Sequence, residues 1–344
     1  MHESPTVTAA QLDYQYPESL VATEPSADFR MLLANAANPT EINKDKLFTL
    51  FRRGDVLVVN DTRVERRRVL AADGLEILFC EPVRASDEWQ VLCAARDLKI
   101  GETIELPGAV KATLTSKGLP QTIKLSESIG SQYFEQFGDL ALPPYIQNAR
   151  GERRSRKDDE KWYQTAWAER SGSQAAPTAS LHFTREDLAQ LRESGVVVVS
   201  LTLHVGIGTF LPLKTEFLHA HKMHGEYVMI PHDTVTEVSA AKRERRKVWA
   251  LGTTVARALE SWAVGKFQTV GEGVAGRTDL FIMPGYLFEV VDRLMTNFHQ
   301  PRSTLLALVD AFAGRETRIR AYDYAIANQF RLFSYGDLSV WLRE

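Results

Sequence analysis

The stretch Gly54-Asp55-Val56-Leu57-Val58-Val59-Asn60 is a short apolar run that stops at the polar turn Asn60-Asp61-Thr62. A run bounded in this way is typical of a buried strand. After residue 162, similar short runs alternate with segments of helical spacing. Repeated units of strand followed by helix predict a parallel sheet covered by helices, open or barrel-like. We predict strands at 196–205, 248–251 and 280–283, and helices at 184–194, 232–247, 253–264, 286–293, 303–313 and 321–329.

The pattern changes between residues 64 and 130, where short alternating segments are separated by turn residues. Five such segments lie at 75–80, 89–94, 102–106, 110–115 and 121–126. Short strands at this spacing, without helical periodicity between them, predict a small all-β barrel or sandwich. The predicted fold class is therefore α/β, with an interrupted main domain. Residues 1–61 and 156–344 form a barrel-like α/β domain, residues 62–155 form an inserted barrel-like all-β domain, and the charged stretch 150–161 is an exposed connector.

Composition excludes several classes of protein. The 344 residues are 44% apolar and 25% charged, with a formal net charge of −3, which excludes wholesale disorder and coating of nucleic acid by bulk charge. A local basic patch remains possible. Cys80 and Cys93 lack a metal-binding spacing, so we predict that both are small buried apolar side chains. No signal peptide and no apolar run of ~20 residues is visible, so we expect a cytoplasmic monomer without a membrane segment.

Polar groups suited to catalysis or ligand binding follow the strand predicted at 196–205. The loop Leu203-His204-Val205-Gly206-Ile207-Gly208 contains Gly-x-Gly, but it lacks the third glycine and the helix start of a dinucleotide fingerprint. It predicts a ligand-binding loop at the carboxyl end of a strand, or only a tight turn. Further on, His219, His221, His224 and Glu226 form H-x-H-x-x-H-x-E. That cluster fits a metal site, a set of solvated or capping histidines, or acid–base groups in a pocket.

Two other segments offer polar groups near predicted helix starts. The loop 296–304 supplies amide, imidazole, guanidinium and hydroxyl groups, although Ser303 or Thr304 can simply cap the next helix. Gly252-Thr253-Thr254 stands between a strand and a helix that carries Arg257, where free N–H groups can hold a carboxylate or a ribose. Capping alone explains that segment equally well. For the aromatic residues within 330–337, core packing is the better interpretation.

Short motifs run along nearly the whole chain: GDVLVVNDTRV at 54–64, LPPYI at 142–146, AAPTASLHF at 175–183, TLHVGIGTF at 202–210, HKMHGEY at 221–227, FIMPG at 281–285 and TNFHQPRST at 296–304. In this order they resemble the S-adenosylmethionine:tRNA ribosyltransferase-isomerase family of queuosine biosynthesis. The resemblance implies transfer and isomerisation of the ribosyl part of S-adenosylmethionine onto 7-aminomethyl-7-deazaguanine at the tRNA wobble position. The products are epoxyqueuosine-tRNA, adenine and methionine. The partners are therefore tRNA and S-adenosylmethionine, a consumed substrate, and no metal or bound cofactor is implied.

The chemistry implied by the resemblance needs a base and a proton donor. The sulfonium acidifies the C5′ protons of S-adenosylmethionine, so a weak base can remove one, and departing adenine needs a proton or a hydrogen-bond donor. His204, His224, Glu226 and His299 are the catalytic candidates, with their individual roles open. The substrate-binding candidates are His182, Thr209, Gly252, Thr253, Thr254, Arg257, Asn297, Ser303, Thr304, Arg331 and Asp337. The tRNA-binding candidates are Arg66, Arg67, Arg68, Arg153, Arg154 and Arg156, with Arg150 and Lys157 beside them, or else a solvated charged surface.

The sequence departs from the family text in three places. Ser180 stands where the family has glycine, the residues before Arg68 are altered, and Gln300 replaces a leucine. A side chain at position 180 intrudes on any ligand that approaches the backbone there. Ser180 and the altered residues before Arg68 leave open a non-catalytic tRNA- or nucleotide-binding relative. The cluster from His219 to Glu226 separately leaves open a metal hydrolase.

Overall fold

The computed structural model describes residues 7–35, 38–83, 87–206, 208, 213 and 215–343. Within these ranges the strands are β1 (Met31–Ala34), β2 (Thr40–Ile42), β3 (Val56–Asn60), β4 (Thr62–Val64), β5 (Arg68–Leu70), β6 (Glu76–Pro82), β7 (Glu88–Cys93), β8 (Thr103–Glu105), β9 (Lys111–Ser116), β10 (Gln121–Leu125), β11 (Gly138–Asp139), β12 (Arg170–Ser173), β13 (Val197–Leu203), β14 (Glu226–Ile230), β15 (Val248–Leu251), β16 (Gln268–Val270), β17 (Gly273–Thr278), β18 (Arg293–Asn297) and β19 (Leu338–Leu342). The helices are α1 (Lys44–Phe48), α2 (Ser131–Phe137), α3 (Pro144–Arg150), α4 (Asp159–Trp162), α5 (Arg185–Glu193), α6 (His232–Arg243), α7 (Thr253–Ala263), α8 (Thr304–Ala313) and α9 (Arg315–Ala327). None of these helices is both long and apolar enough to cross a bilayer.

The predicted central strand lies in the middle of a large mixed sheet. Its order among the described strands is β16-β17-β14-β13-β3-β15-β18-β19-β1-β2. Strands β13, β3, β15 and β18 are mutually parallel, so their carboxyl ends meet at one edge. We call this the strand-end edge; it is defined by Leu203, Asn60, Leu251 and Asn297, the last residues of those four strands. Strand β14 is antiparallel to β13 and strand β19 is antiparallel to β18, so both begin at the same edge.

Helices cover both faces of this sheet, as the α/β prediction requires. Val56 and Val58 of β3 belong to a large core that includes residues of α6, α7 and α8. Leu57 and Val59 point the other way, into a second core with Leu188 of α5. Because successive strand residues face opposite sides, a strand buried on both faces reads as a continuous apolar run. The mixed α/β class is confirmed.

The five short strands predicted between 64 and 130 are present as β6 to β10. With β5 and β11 they form a seven-stranded antiparallel sheet of order β11-β5-β6-β7-β10-β9-β8. The rings of Phe79, Trp89 and Phe134 pack edge to face in its own core. Cys80 is buried and Cys93 is half-buried, as small apolar side chains would be.

The charged stretch 150–161 is exposed at most positions, as predicted, but it is also anchored at Arg150 and Asp159. Two hydrogen bonds of 2.7 and 2.8 Å join the Arg150 guanidinium to the Asp159 carboxylate, and both side chains are almost fully buried. Asp159 also accepts a hydrogen bond from the Tyr335 hydroxyl at 3.0 Å. The stretch is thereby tied to the segment before β19, while Arg153 and Arg154 remain exposed.

The helix predicted at 286–293 and the strand predicted at 280–283 are both wrong. The fully buried carboxylate of Glu260, on α7, instead accepts the backbone N–H groups of Glu289, Val290 and Val291 at 2.9 to 3.0 Å. A distant side chain therefore satisfies the donors that a local helix would have paired. Strand β18 follows this segment, at a place where we predicted no strand.

Candidate active site

The turn Asn60-Asp61-Thr62 organises one part of the strand-end edge. The Asn60 amide accepts a hydrogen bond from the backbone N–H of Leu203 at 3.1 Å and donates one to its carbonyl at 3.0 Å. Asp61 accepts a hydrogen bond from the Thr202 hydroxyl at 2.6 Å. These contacts join the ends of β3 and β13. Sequence reasoning gave the turn no role in the site, although a polar turn directly after a buried strand was the available signal.

His204 follows β13 at this edge and is held from two sides. Its Nδ1 lies 2.7 Å from the Thr62 hydroxyl. Gly172 has a φ of +141°, and a Cβ there would lie 2.8 Å from Nε2 of His204, so glycine leaves the imidazole its space. Partial burial lowers the pKa of His204, although the charges of Glu65 and Asp61 oppose this. The ring is therefore neutral at physiological pH and can accept a proton.

Glu226 and Arg257 form a buried ion pair at the start of β14, on the core face of the sheet. One carboxylate oxygen of Glu226 pairs with Nη1 of Arg257, and the other accepts the backbone N–H of Gly206 at 3.0 Å. The Arg257 Nε donates to the Leu280 carbonyl at 3.3 Å. Its Nη2 is buried with no hydrogen-bond partner among the described residues. A buried guanidinium with a spare donor can bind an anionic or polar ligand group.

The histidine cluster does not converge on one centre. His219 stacks on Phe217 and His221 packs against Phe281, while Glu226 is paired with Arg257. Across the part of the chain that the structure describes, no group of three His, Cys, Asp or Glu side chains could hold a metal ion. His224 lies beside Gly208, whose Cβ, if present, would be 3.6 Å from that of His224. Thr209 lies outside the described residues.

The end of β18 is bound to the 3-10 helix Thr178–His182. The Asn297 amide accepts the Thr178 hydroxyl at 2.8 Å and lies 3.2 Å from Nε2 of His182. The same helix approaches Gly252, whose φ of +98° precedes α7, and a Cβ there would lie 4.0 Å from that of Ala179. Thr253 is buried and Thr254 is 3.4 Å from the Asn60 amide. Asn297, His182 and the start of α7 thus form a second part of the edge.

Ser180, which stands where the family has glycine, lies in the 3-10 helix Thr178–His182. Its side chain is completely buried, and its hydroxyl has no hydrogen-bond partner in the described ranges. An unsatisfied buried hydroxyl destabilises the folded state by about 1–3 kcal/mol. Among the described residues no contact compensates for it.

His299 is placed at the same edge but deeper. Its backbone N–H donates to the Tyr322 hydroxyl at 2.9 Å, its carbonyl accepts the Tyr14 hydroxyl at 2.6 Å, and its Nε2 lies 3.0 Å from the Thr296 hydroxyl. Strands β3 and β15 separate it from His204, which corresponds to about 14 Å across three strand spacings. The two imidazoles would therefore contact different parts of any ligand bound at the edge.

Four predicted substrate contacts have structural partners. Ser303 caps α8 by accepting the Leu306 N–H at 3.2 Å, and Thr304 is the first residue of that helix. Asp337 is fully buried and accepts the backbone N–H groups of Arg30 and Arg331 at 2.8 and 2.7 Å. Burial raises its pKa despite these hydrogen bonds. The side chain of Arg331 donates to the Glu24 carbonyl.

The predicted basic patch is divided between surface and interior. Arg68 and Arg150 are buried and ion-paired, and the guanidinium of Arg67 lies over the Phe134 ring, so these three are poorly placed for phosphate. Arg66 is paired with Glu160 at 2.6 Å and Arg156 with Glu152 at 2.9 Å, all partly exposed. The exposed members of the patch are Arg153, Arg154, Arg156 and Lys157, and Arg66 is half-buried.

Two buried histidines make stability depend on pH. Burial lowers the pKa of His299 to about 3, and burial, with a smaller effect of Lys44, lowers that of His182 to about 3. In the unfolded chain both take up protons below pH ~6.5. The stability that these two neutral imidazoles contribute is therefore constant above that pH and falls below it, by about 2 kcal/mol per histidine at pH 5. Urea unfolding at pH 7 and pH 5 measures this, and an equal loss in the wild type and His182→Asn would contradict it.

The comparisons with known proteins bear directly on this edge, because its motifs fall within the matched region. A family model described as "Queuosine biosynthesis protein" matches residues 9–340. The chain belongs to this family. A relative of the queuosine biosynthesis family from Geotalea uraniireducens is 41% identical over 94% of this chain and 97% of its own length, and one from Carboxydothermus hydrogenoformans is 42% identical with the same coverage. Both are named S-adenosylmethionine:tRNA ribosyltransferase-isomerase.

A solved member of the family shares the fold. The crystal structure of S-adenosylmethionine tRNA ribosyltransferase from Thermotoga maritima is similar to this chain at a TM-score of 0.54 and 27% identity. The match covers 96% of this chain and 100% of that one. The sequence resemblance to the family is confirmed.

Proposed function

We propose that the protein transfers and isomerises the ribosyl group of S-adenosylmethionine onto 7-aminomethyl-7-deazaguanine at the wobble position of tRNA. Epoxyqueuosine-tRNA, adenine and methionine are the products. The observation that carries this proposal is the identity of 41–42% with ribosyltransferase-isomerases over 94% of this chain and 97% of theirs.

The strand-end edge supplies groups suited to this reaction. His204 is neutral because it is partly buried, so we assign it as the base that removes a C5′ proton next to the sulfonium. The buried Glu226–Arg257 pair offers a carboxylate and a spare guanidinium donor at the same end of the sheet. Gly252, Asn297 and His182 bind the other end of S-adenosylmethionine, and neutral His299 acts as a hydrogen-bond partner. The reaction needs no metal or bound cofactor, since S-adenosylmethionine carries the transferred group.

The seven-stranded sheet is proposed to be an inserted barrel-like domain with boundaries at 62 and 155. Its separate core of Phe79, Trp89 and Phe134 supports this. So do the two places where the chain passes between the sheets, after β4 and before β12. The main domain would then be the barrel-like α/β unit on which the reaction takes place.

Adenine release tests the function. The protein is incubated with S-adenosylmethionine and tRNA that carries the precursor base, and adenine is measured by chromatography while the nucleoside is followed by mass spectrometry. We expect adenine only when both substrates are present, with the modified nucleoside in equal amount. Binding of both substrates without turnover would indicate the non-catalytic relative. Loss of turnover in a chelator, restored by zinc alone, would indicate metal chemistry.

The exposed arginines are proposed to contact tRNA phosphates. Neutralising Arg153, Arg154 and Arg156 together should reduce the slope of log affinity against log salt by ~0.7–0.9 for each true contact. Filter binding of full-length tRNA across a salt series measures the slope. An unchanged affinity and slope would remove this segment from the tRNA interface.

A further inference from the structure

An aromatic side chain is exposed beside the buried carboxylate of the site. Strand β14 alternates, so Glu226, Val228 and Ile230 face the core while Tyr227 faces outward with 41% of its surface exposed. Its position is fixed by the ladder with β17 on one side and by the His204 N–H, which donates to its carbonyl at 3.0 Å, on the other. The ring is thus displayed at the strand-end edge on a rigid element.

Two half-exposed guanidinium groups flank the ring. Arg277 is the cross-strand partner of Tyr227 on β17 and donates to the Gly225 carbonyl at 2.7 Å. Arg170, from β12, lies 3.0 Å from the sulfur of Met229, the next outward residue of β14. Their side chains are 54% and 45% exposed. Two positively charged side chains, which we call the rim, therefore lie on the same face of the sheet as the exposed ring.

The acidic groups near this rim do not cancel it. Arg277 pairs with Glu81 at 2.8 Å, but that pair is half-exposed, and surface pairs of this kind are worth at most about 1 kcal/mol. Asp61 is 3.9 Å from Arg170 and its carboxylate is already hydrogen-bonded to Thr202 and Ser200. Both guanidinium groups can therefore exchange these contacts for a phosphate.

The platform adjoins the proposed base. The His204 and Tyr227 rings are nearly parallel, 20° apart, with centroids 5.9 Å apart. A planar group that stacks on the outer face of Tyr227 consequently lies one ring away from the imidazole that we assign to proton removal. Unpaired bases in RNA loops are recognised by stacking on aromatic rings, with arginines on the neighbouring phosphates.

We propose that Tyr227, Arg170 and Arg277 form a stacking platform for one unpaired base of the tRNA anticodon loop. The platform holds the loop so that the neighbouring modified nucleotide reaches the strand-end edge. This inference rests on the proposed function, because it takes tRNA to be the substrate. It names a surface distinct from the exposed arginines of 153–156.

The test compares two RNA probes and two pairs of variants. An unmodified anticodon stem-loop and a blunt duplex of equal length are titrated by fluorescence anisotropy across a salt series. Tyr227→Ala should weaken binding of the stem-loop by about 5- to 150-fold, the range for loss of one base–aromatic stack, and leave duplex binding unchanged. Tyr227→Phe keeps the aromatic face and should bind within about twofold of the wild type. Arg277→Gln should lower the salt slope by ~0.7, whereas Arg315→Gln, at the start of α9, should not.

The outcomes separate this inference from the function on which it rests. Thermal stabilisation by S-adenosylmethionine confirms that each variant is folded. If the wild type releases adenine and Tyr227→Ala binds the stem-loop normally, the platform is wrong and the function stands. Equal weakening of stem-loop and duplex binding would also overturn it, because base stacking needs an unpaired base. If the wild type releases no adenine, the proposed function fails, whatever the binding data are.

Discussion

Replacing Glu226 by glutamine is expected to lower kcat by ~10²-fold or more while tRNA still binds. The glutamine keeps the shape of the side chain and its contact with the Gly206 N–H. It removes the negative charge that faces the buried Arg257 guanidinium. The electrostatic environment of the reacting groups is therefore changed. Because this charge acts on the reacting centre, the loss should appear in kcat and only weakly in KM.

Steady-state adenine release at several tRNA concentrations measures both constants. The matched control is Glu244→Gln, which also removes a carboxylate from an arginine, Arg246, but at the surface. The control should retain wild-type kcat. A Glu226→Gln protein that melts normally and turns over at a near-normal rate would remove Glu226 from the catalytic groups.

Replacing Asp159 by alanine is expected to destabilise the protein by about 3–5 kcal/mol. The change leaves the Arg150 guanidinium buried without its counter-charge and deprives the Tyr335 hydroxyl of its acceptor. Burial alone would raise the pKa of Asp159, but hydrogen bonds from Arg150 and the Arg156 N–H lower it. The carboxylate is therefore ionised, and the full electrostatic effect is lost with it at neutral pH.

Urea unfolding at pH 7 measures the free energy of unfolding. Glu152→Ala is the control, because it removes the acidic partner of the exposed Arg156, and such surface pairs contribute at most about 1 kcal/mol. Similar losses for the two variants would show that the Arg150–Asp159 pair does not anchor the segment 150–161.

Local signals in the sequence were sufficient to predict elements that are specified by neighbouring residues. The strand at 248–251 and the helix that follows it have the predicted bounds within one residue. Thr184, the first residue of the helix predicted at 184–194, caps α5, with its side chain accepting the Asp187 N–H. Continuous apolar runs and capping residues are properties of a few neighbouring positions, so one sequence reveals them.

Long-range polar contacts could not be predicted in the same way. Glu260 holds residues 289–291 from about thirty positions away, and Arg150 is buried by an aspartate within a stretch that reads as solvated charge. Nothing local distinguishes these carboxylates from exposed ones. The motifs located the strand-end edge, but the pairing of Glu226 with Arg257 and of Thr62 with His204 depends on strand order.

A crystal structure with S-adenosylmethionine bound tests the account most directly. We predict the ligand at the strand-end edge, with its sulfonium near His204 and the Glu226–Arg257 pair, and its far end near Gly252 and Asn297. A cavity of about 190 Å³ lies elsewhere, between α5 and the strands β3 and β13, and is lined by Trp167, Arg185 and Arg192. Ligand bound there, or anywhere that leaves His204 and Arg257 without contact, would contradict the assignment of the strand-end edge as the active site.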